Sequence, residues 1–278
     1  MGIRKKQQHA AFAGNENSKT LHKNLDFTAT EQYKLLRTNL GFTLPAGEKC
    51  PVIGVTSSIR GEGKSTTSIN LSYVLAESGS KVLLIDGDLR LPSIAKKMDL
   101  EQKKGMTDFL MGNGGDLDDF RSSLLDNWYI ITSGTIPPNP SELLGSSRMK
   151  DLLDEFRQIF DYIILDLPPV NIVSDAMSVS KYITGIVVVA REEYIEKKEL
   201  KACFRQLELS NVKILGCVMS CAKRKSGSYG RKYGKYKRYK YYGHYGRYGR
   251  YGHYGEGDGY GYAYAKEISE ENSKDNES

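Results

Sequence analysis

A glycine-rich segment of this 278-residue chain has the residue types and the spacing that bind a polyphosphate. Ser58-Ile59-Arg60-Gly61-Glu62-Gly63-Lys64-Ser65-Thr66 follows the apolar run Val52–Val55 and precedes the amphipathic segment 68–75. In such a strand, loop and helix, glycines let backbone N–H groups turn toward phosphate oxygens, the lysine reaches the β- and γ-phosphates, and the following hydroxyl ligates Mg²⁺. The segment predicts a P-loop. The candidate phosphate-binding residues are Ser58, Gly61, Glu62, Gly63, Lys64, Ser65 and Thr66.

Ser58 departs from the strict P-loop pattern, which has glycine at that position. The tripeptide Gly63-Lys64-Ser65 is common enough that a plain glycine turn capping a helix also explains it. The strand before the tripeptide and the helix after it favour the P-loop.

Acidic residues follow two further apolar runs. Val82–Ile85 leads into Asp86 and Asp88, and Ile163–Leu165 leads into Asp166. Each aspartate alone could cap a turn, and a nearby arginine, at position 90, could simply pair with Asp88. Three carboxylates in one fold with a P-loop are what Mg²⁺ and a phosphoryl acceptor require. Together with Lys64, these three residues are the candidate catalytic residues of a site for ATP and Mg²⁺.

Six short apolar runs indicate the elements that hold these residues. Their residues are continuous rather than alternating, which is typical of strands covered on both faces, as in a parallel sheet between helices. The runs are 52–55, 82–85, 129–131, 163–165, 186–189 and 214–219. We therefore predict one α/β domain over residues 28–221, a P-loop NTPase fold with a mostly parallel sheet. Ligands of such sheets bind at the carboxyl ends of the strands.

The net charge of +6 is concentrated near the C-terminus. Residues 1–221 contain 27 basic and 27 acidic residues, residues 222–265 contain 11 and 2, and residues 266–278 contain 2 and 5. Thirteen of the 19 tyrosines lie between Tyr229 and Tyr264, and that segment has no Leu, Ile, Val or Phe. Such a composition cannot bury enough apolar surface to fold. We predict a disordered basic tail over 222–265, a disordered acidic end and a flexible leader over 1–27.

No segment has the 18 or more apolar residues of a spanning helix, and the N-terminus lacks an apolar signal core. The expectation is a soluble protein of the cytosol. Four cysteines form no Cys-x-x-Cys pair, so we expect reduced, partly buried thiols rather than a metal site or disulfides. They are Cys50, Cys203, Cys217 and Cys221.

A charged helix is predicted to begin the domain. Thr28-Ala29-Thr30-Glu31 has the pattern of a capping box, and the helix continues to about Leu40. Glu31, Lys34 and Arg37 are three residues apart and share one face. Spacing alone favours a solvated charge stripe.

The ordered set of motifs resembles the bacterial tyrosine kinases, P-loop autokinases of capsule and exopolysaccharide production. The matching segments are 31–39, 57–66, 84–90, 105–110, 137–144 and 166–169, followed by the tyrosine-rich tail. Related ATPases that position division sites or segregate plasmids have a signature lysine five positions before the P-loop lysine. Ile59 occupies that position here, which favours the kinase branch.

The resemblance implies a role for each candidate residue. Lys64 and the backbone of 61–66 would hold the phosphates of ATP. Ser65, Asp88 and Asp166 would organise Mg²⁺, and Asp86 would accept the proton of the attacking tyrosine, although the division of roles between Asp86 and Asp88 stays open. The segment that contains Glu31, Lys34 and Arg37 would join subunits into a ring. Lys34 replaces the family's usual arginine, and lysine lacks the bidentate fork of arginine.

The tail would supply phosphate acceptors that a neighbouring subunit modifies in trans. These acceptors are Tyr229, Tyr233, Tyr236, Tyr239, Tyr241, Tyr242, Tyr245, Tyr248, Tyr251, Tyr254, Tyr260, Tyr262 and Tyr264. The resemblance also implies a membrane adaptor that activates the kinase at the inner face of the membrane, and further protein substrates, but not nucleic acid. The alternative from composition is a nucleotide-switch ATPase whose basic tail binds nucleic acid or an anionic surface. A third interpretation is an adhesive, low-complexity scaffold.

Overall fold

A computed structural model describes residues 25, 27–101 and 104–222, and its centre is one six-stranded sheet. The strands are β1 (Val52–Ser57), β2 (Val82–Asp86), β3 (Trp128–Ile131), β4 (Tyr162–Asp166), β5 (Gly185–Arg191) and β6 (Ile214–Ser220). Their order in the sheet is β3-β2-β4-β1-β5-β6, and every neighbouring pair is parallel. All six predicted strands are confirmed, and the two strands that carry the P-loop and Asp166 lie at the centre of the sheet.

Eight helices connect and cover the strands in the described residues. They are α1 (Phe27–Thr43), α2 (Lys64–Glu77), α3 (Ile94–Met98), α4 (Met106–Leu110), α5 (Pro140–Leu144), α6 (Ser147–Arg157), α7 (Asp175–Val179) and α8 (Lys197–Leu209). Two short 3₁₀ turns lie at Leu117–Phe120 and Ser180–Tyr182.

The core has two apolar layers, one on each face of the sheet. Alternate residues of a strand face opposite layers, as Ile163 and Ile164 of β4 do. One layer includes α6 and α8 residues such as Phe156, and the other includes α1 and α2 residues such as Leu71. Helices on both faces explain why the central strands are continuous apolar runs.

Helix α1 differs from its predicted start. It begins at Phe27, so Thr28 lies inside the helix and is not the N-cap residue that the predicted capping box requires. The helix also continues past Leu40, to Thr43. The helix packs on the layer that contains α2, where Leu40 is buried and Tyr33 and Leu36 are partly buried.

The cysteines are free thiols in two environments. Cys50 and Cys203 are buried, and burial raises the pKa of each thiol to about 11. Cys217 and Cys221 are exposed, so the expectation of partial burial is wrong for these two. Residues 25, 27–101 and 104–222 contain no cluster of three or more His, Cys, Asp or Glu side chains arranged to hold a metal ion.

None of the helices in the described part of the chain is long and apolar enough to cross a membrane. The predicted leader lies almost wholly outside the described residues, and so do the predicted tail beyond position 222 and the acidic end.

Candidate functional site

The strand order brings the predicted residues together at the carboxyl ends of the strands. Strand β4 lies between β1 and β2, so the loop after β1 and the aspartates after β2 both adjoin Asp166. In the register of the sheet, Asp166 lies opposite Val55 on one side and opposite Asp86 on the other. Residues more than a hundred positions apart along the chain thus meet at the carboxyl ends of three neighbouring strands, where such folds bind ligands.

The loop between β1 and α2 has a P-loop conformation. Gly61 and Gly63 have φ values of 83° and 96°, which lie in the left-handed region that favours glycine. Gly63 also forms the N-cap of α2, which begins at Lys64. The backbone N–H groups at the start of this 14-residue helix are therefore available for an anion.

The buried carboxylate of Glu62 stabilises the loop through hydrogen bonds to the backbone. The Glu62 side chain is fully buried. Its Oε2 accepts a hydrogen bond from the Ile59 N–H at 2.7 Å, and its Oε1 accepts one from the Arg191 N–H at 3.3 Å. Glu62 therefore faces the protein, and only its backbone belongs to the predicted phosphate-binding set. Ser58, at the start of the loop, is also buried.

Lys64 lies between two buried carboxylates. Its Nζ is 2.9 Å from Asp88 Oδ2 and 3.5 Å from Asp166 Oδ2. Burial disfavours the ammonium, but the carboxylates of Asp166 and Asp88 outweigh that effect and raise the pKa of Lys64. Lys64 Nζ also donates to Ser65 Oγ at 3.3 Å. The site therefore places a charged amine, a hydroxyl and two carboxylates in contact.

Asp166 has an oxygen atom suited to a cation. The residue is fully buried, and its Oδ1 accepts a hydrogen bond from Ser68 Oγ at 3.1 Å. Its Oδ2 accepts no hydrogen bond from the described residues. Burial raises the pKa of Asp166. The Lys64 amine, at 3.5 Å from this oxygen, makes an ion pair but no hydrogen bond, so a metal ion would stabilise the oxygen further. The oxygen donors of Ser65, Asp88 and Asp166 match what Mg²⁺ prefers.

Asp86 organises the chain that follows β2. Its Oδ2 accepts hydrogen bonds from the N–H groups of Ser93 and Ile94, both at 3.0 Å, and its Oδ1 accepts one from the Asp88 N–H at 3.3 Å. Burial and then the nearby Asp166 raise the pKa of Asp86 to about 7. The capping role considered for Asp86 is present in the structure, and the same residue can take up or release a proton near neutral pH.

Arg90 pairs with an aspartate that the sequence did not single out. Its Nε is 2.9 Å from Asp175 Oδ2, and its Nη2 donates to Asp175 Oδ1 at 3.1 Å and to Ser141 Oγ at 3.2 Å. The alternative pairing of Arg90 with Asp88 is therefore wrong. Ser141 also donates a short hydrogen bond to Asp175. Ser141 lies in the motif segment 137–144, whereas Asp175 comes too far after β4 to give a strand-end signal.

The predicted interface residues lie on α1, apart from this site. Glu31 and Lys34 form an ion pair at 3.1 Å on the surface. The Nη1 of Arg37 instead donates to the Val74 carbonyl oxygen on α2 at 2.8 Å. The three charges therefore do not form one free stripe, because Arg37 is used to attach α1 to α2. The predicted tail tyrosines lie outside the described residues.

Comparisons with known proteins agree with this geometry. A family model described as an AAA domain matches residues 51–211. Tyrosine-protein kinase YwqD of Bacillus subtilis is 37% identical over 202 residues, which are 72% of this chain and 85% of that protein. Tyrosine-protein kinase CpsD of Streptococcus pneumoniae serotype 4 is 35% identical over 211 residues, 75% of this chain and 92% of that protein.

Solved structures give the same result. The crystal structure of the chimerical protein CapA2B2 has a TM-score of 0.65 and 32% identity, and the match covers 70% of this chain and 85% of that chain. The kinase domain of Escherichia coli tyrosine kinase ETK has a TM-score of 0.64 and 30% identity, and the match covers 77% of this chain and 88% of that chain. A septum site-determining protein, MinD, from Pyrococcus horikoshii has 22% identity and a TM-score of 0.51, which shows the P-loop NTPase fold alone. The chain belongs to the bacterial tyrosine kinases and is a nucleotide-binding protein-tyrosine kinase.

Proposed function

We propose that this kinase transfers the γ-phosphate of ATP to tyrosines of its own C-terminal sequence, with a neighbouring copy as the acceptor. The observation that carries the proposal is the position of Lys64, at the start of the P-loop helix and in contact with the buried carboxylates of Asp88 and Asp166. The same chain supplies the acceptors, because 13 tyrosines lie between Tyr229 and Tyr264.

The P-loop backbone from Gly61 to Thr66 and the Lys64 amine hold the triphosphate. Ser65, Asp88 and Asp166 would hold Mg²⁺, which would neutralise charge that develops on the phosphate oxygens. The Asp166 oxygen without a hydrogen bond supports this assignment. Lys64 forms ion pairs with both Asp88 and Asp166, so its amine already holds the two side chains close together before any ligand binds.

Asp86 accepts the proton of the attacking phenol. A tyrosine hydroxyl has an ordinary pKa of about 10 and attacks poorly while it is protonated. Asp86 is adjacent to Asp166, and its pKa of about 7 leaves part of the population ionised at neutral pH. Hydrogen bonds from Ser93 and Ile94 fix one of its oxygens in place.

Phosphorylation of the tail changes its charge. The sequence 222–265 has an excess of nine positive charges, since it contains 11 basic and 2 acidic residues. Each phosphotyrosine adds about −1.5 to −2 charges, so roughly five of them would neutralise this sequence. Such a change weakens contacts with an anionic partner or between subunits.

The kinase acts at the inner face of the membrane through a membrane adaptor and controls capsule or exopolysaccharide synthesis. The relatives named as tyrosine kinases support the enzymatic part of this assignment. Copies associate through α1, where the exposed Glu31–Lys34 pair is available to a neighbour. Further protein substrates would carry tyrosines within reach of the same site.

Mass spectrometry of the full chain tests the proposal. After incubation with Mg-ATP, we expect phosphate on tyrosines of the segment 229–264. Lys64→Met should abolish this modification without unfolding the domain, whereas Lys96→Met, at an exposed lysine of α3, should leave it unchanged. Near-normal phosphotyrosine in the Lys64 variant would remove the proposed site. Release of phosphate to water with an unmodified tail would instead support the nucleotide-switch ATPase.

A further inference from the structure

Tyr194 differs from the other tyrosines of the kinase domain in its exposure. Six tyrosines precede the tail sequence, and Tyr194 has 49% of its surface exposed. The other five are buried or half-buried, and they are Tyr33, Tyr73, Tyr129, Tyr162 and Tyr182. The Tyr182 hydroxyl, for example, donates to the Gly145 carbonyl oxygen at 3.0 Å. Tyr194 is therefore the domain tyrosine that a second enzyme molecule can reach most easily.

Tyr194 lies on a tight turn at the carboxyl ends of the strands, as the P-loop does. The turn joins β5 to α8, and the N–H of Tyr194 donates to the Arg191 carbonyl oxygen at 3.3 Å. Glu193, just before it, has a φ of 57°. Turns of this kind run over the protein surface. The tyrosine therefore lies on an exposed turn, where an acceptor can enter another active site.

The Tyr194 hydroxyl also touches the P-loop. A methyl group added to Gly61 would lie 3.0 Å from Tyr194 Oη and 3.4 Å from its Cζ. The hydroxyl end of the ring therefore lies next to Gly61. Gly61 has a φ of 83° and belongs to the loop that turns its N–H groups toward phosphate.

Arg191 connects the same ring to the same glycine. Its guanidinium carbon is 5.0 Å from the centre of the Tyr194 ring, and its Nη1 donates to the Gly61 carbonyl oxygen at 3.3 Å. The Arg191 N–H also donates to Glu62 Oε1. The conformation of the P-loop at positions 61 and 62 thus depends on an arginine that stacks on Tyr194.

We propose that Tyr194 is a second phosphorylation site, one that weakens nucleotide binding by the copy that carries it. The proposal rests on the proposed phosphorylation between copies. Tyr194 Oη attacks the γ-phosphorus of ATP held by another copy. The Oη–P bond forms, the bond from that phosphorus to the β,γ-bridging oxygen breaks, and ADP leaves with that oxygen. The phenolic proton passes to the Asp86 carboxylate of the enzyme copy.

A phosphate on Tyr194 would act on the P-loop in two ways. It adds about −1.5 to −2 charges beside Gly61, and these charges repel the triphosphate of an incoming nucleotide. It also attracts the Arg191 guanidinium, since arginine pairs strongly with phosphate, and thereby removes the hydrogen bond to the Gly61 carbonyl. Both effects lower nucleotide affinity and limit how long a modified copy stays active.

An isotope-labelled acceptor tests the modification. Full-length Lys64→Met protein labelled with ¹⁵N is incubated with unlabelled wild type and Mg-ATP, and the tryptic peptide of residues 192–197 is analysed. We expect phosphate on Tyr194 of the labelled chain, and none when wild type is omitted. Labelled tail tyrosines that are modified while Tyr194 is not would overturn this proposal alone. Phosphotyrosine at neither place would overturn the proposed function as well.

The effect on binding is measured with a matched variant. Tyr194→Phe keeps the ring over Gly61 but removes the oxygen that accepts phosphate. Wild type and this variant are phosphorylated to the same extent on the tail, and the Kd for Mg-ADP is determined before and after. We expect the Kd of wild type to rise by about fivefold or more and to recover after phosphatase treatment. An equal Kd for the two phosphorylated proteins would contradict the proposed effect.

Discussion

Asp86 and Asp166 are paired across β2 and β4, so two buried carboxylates occupy neighbouring positions at the ends of parallel strands. Lys64 lies against Asp166, while Asp86 receives backbone N–H groups from the chain leading into α3. The two carboxylates therefore have different surroundings. This difference suggests distinct roles, with Asp166 suited to a cation and Asp86 suited to a proton.

Asp86→Asn should slow phosphorylation of the tail without preventing nucleotide binding. The amide oxygen can still accept from Ser93 and Ile94, but the amide cannot take up the phenolic proton. We expect the rate to fall by about 10²–10⁴-fold, the usual contribution of a general base. Single-turnover assays and Mg-ADP titration measure the two properties. Asp99→Asn, at the exposed end of α3, is the control, and an unchanged rate in the Asp86 variant would argue against its role.

The free energy of unfolding should depend on the pH through Asp86. Its pKa is about 7 in the folded protein, whereas an aspartate in the unfolded chain titrates near 4. The folded state thus holds a proton that the unfolded state has already released. The free energy of unfolding should therefore decrease between about pH 4 and pH 7, by about 1.4 kcal/mol for each unit of pKa difference.

Urea unfolding of the metal-free protein from pH 5 to pH 8 measures this dependence. Asp86→Asn has no titrating carboxyl group at the position, so its free energy of unfolding should depend less on the pH. Relative to wild type, the variant should become more stable as the pH rises. If the free energies of unfolding of the two proteins change in parallel with the pH, the pKa of Asp86 is not raised in the folded state.

Asp166→Asn should remove most of the effect of Mg²⁺ on nucleotide binding. The amide can keep the hydrogen bond from Ser68, but it lacks the charged Oδ2 that has no hydrogen-bond donor among the described residues. We expect Mg²⁺ to strengthen ADP binding in wild type and to do so about tenfold less in the variant. Calorimetric titration with and without Mg²⁺ measures both. Asp119→Asn, at an exposed aspartate, is the control, and wild-type Mg²⁺ dependence in Asp166→Asn would contradict the assignment.

Arg90→Ala should destabilise the fold more than loss of a surface ion pair. Asp175 is fully buried, and the variant would leave its carboxylate without the guanidinium. Because Arg90 itself is partly exposed, we expect a loss of about 1–3 kcal/mol in urea unfolding. Lys150→Ala breaks an exposed pair with Asp154 and should cost clearly less than Arg90→Ala.

A double variant distinguishes loss of the Arg90–Asp175 ion pair from non-specific destabilisation. The Arg90→Ala and Asp175→Asn effects should not add, because the second change removes the unpaired charge that the first one leaves. Strict additivity of the two effects would show that the pair contributes nothing specific.

Association through α1 should depend on Glu31. Glu31→Arg reverses the charge beside Lys34 on the surface, and we expect a lower solution mass by light scattering if neighbouring copies bind there. This variant tests the interface more directly than Arg37→Ala does, because Arg37 also donates a hydrogen bond to the Val74 carbonyl oxygen within the same chain. Glu48→Arg, at another exposed position, serves as the control. An oligomer of unchanged mass in the Glu31 variant would place the interface elsewhere.

The sheet and the centre of the site were predictable because their signals are local. A continuous apolar run indicates a strand buried on both faces, and the residues that follow such a run must lie at the ligand-binding edge of a parallel sheet. The P-loop, Asp86 and Asp166 each follow a run of this kind, and the structure brings Lys64 of the P-loop together with both aspartates. The start of α1 differs from the prediction by two residues, since a cap at Thr28 would make position 29 the first helical residue and the helix begins at Phe27.

Four contacts depended on the tertiary structure alone. They are the pairing of Arg90 with Asp175, the hydrogen bond from Arg37 to α2, the support of the P-loop by Glu62, and the packing of Tyr194 on Gly61. Each joins residues far apart in the chain or from different elements, and no periodicity along the sequence encodes such a meeting. The sequence determined which strands form and which side chains carry the chemistry, since both follow from short-range patterns of burial and charge. Packing of the helices around the sheet decided which partner each charged or aromatic group contacts, because that choice depends on distances in space.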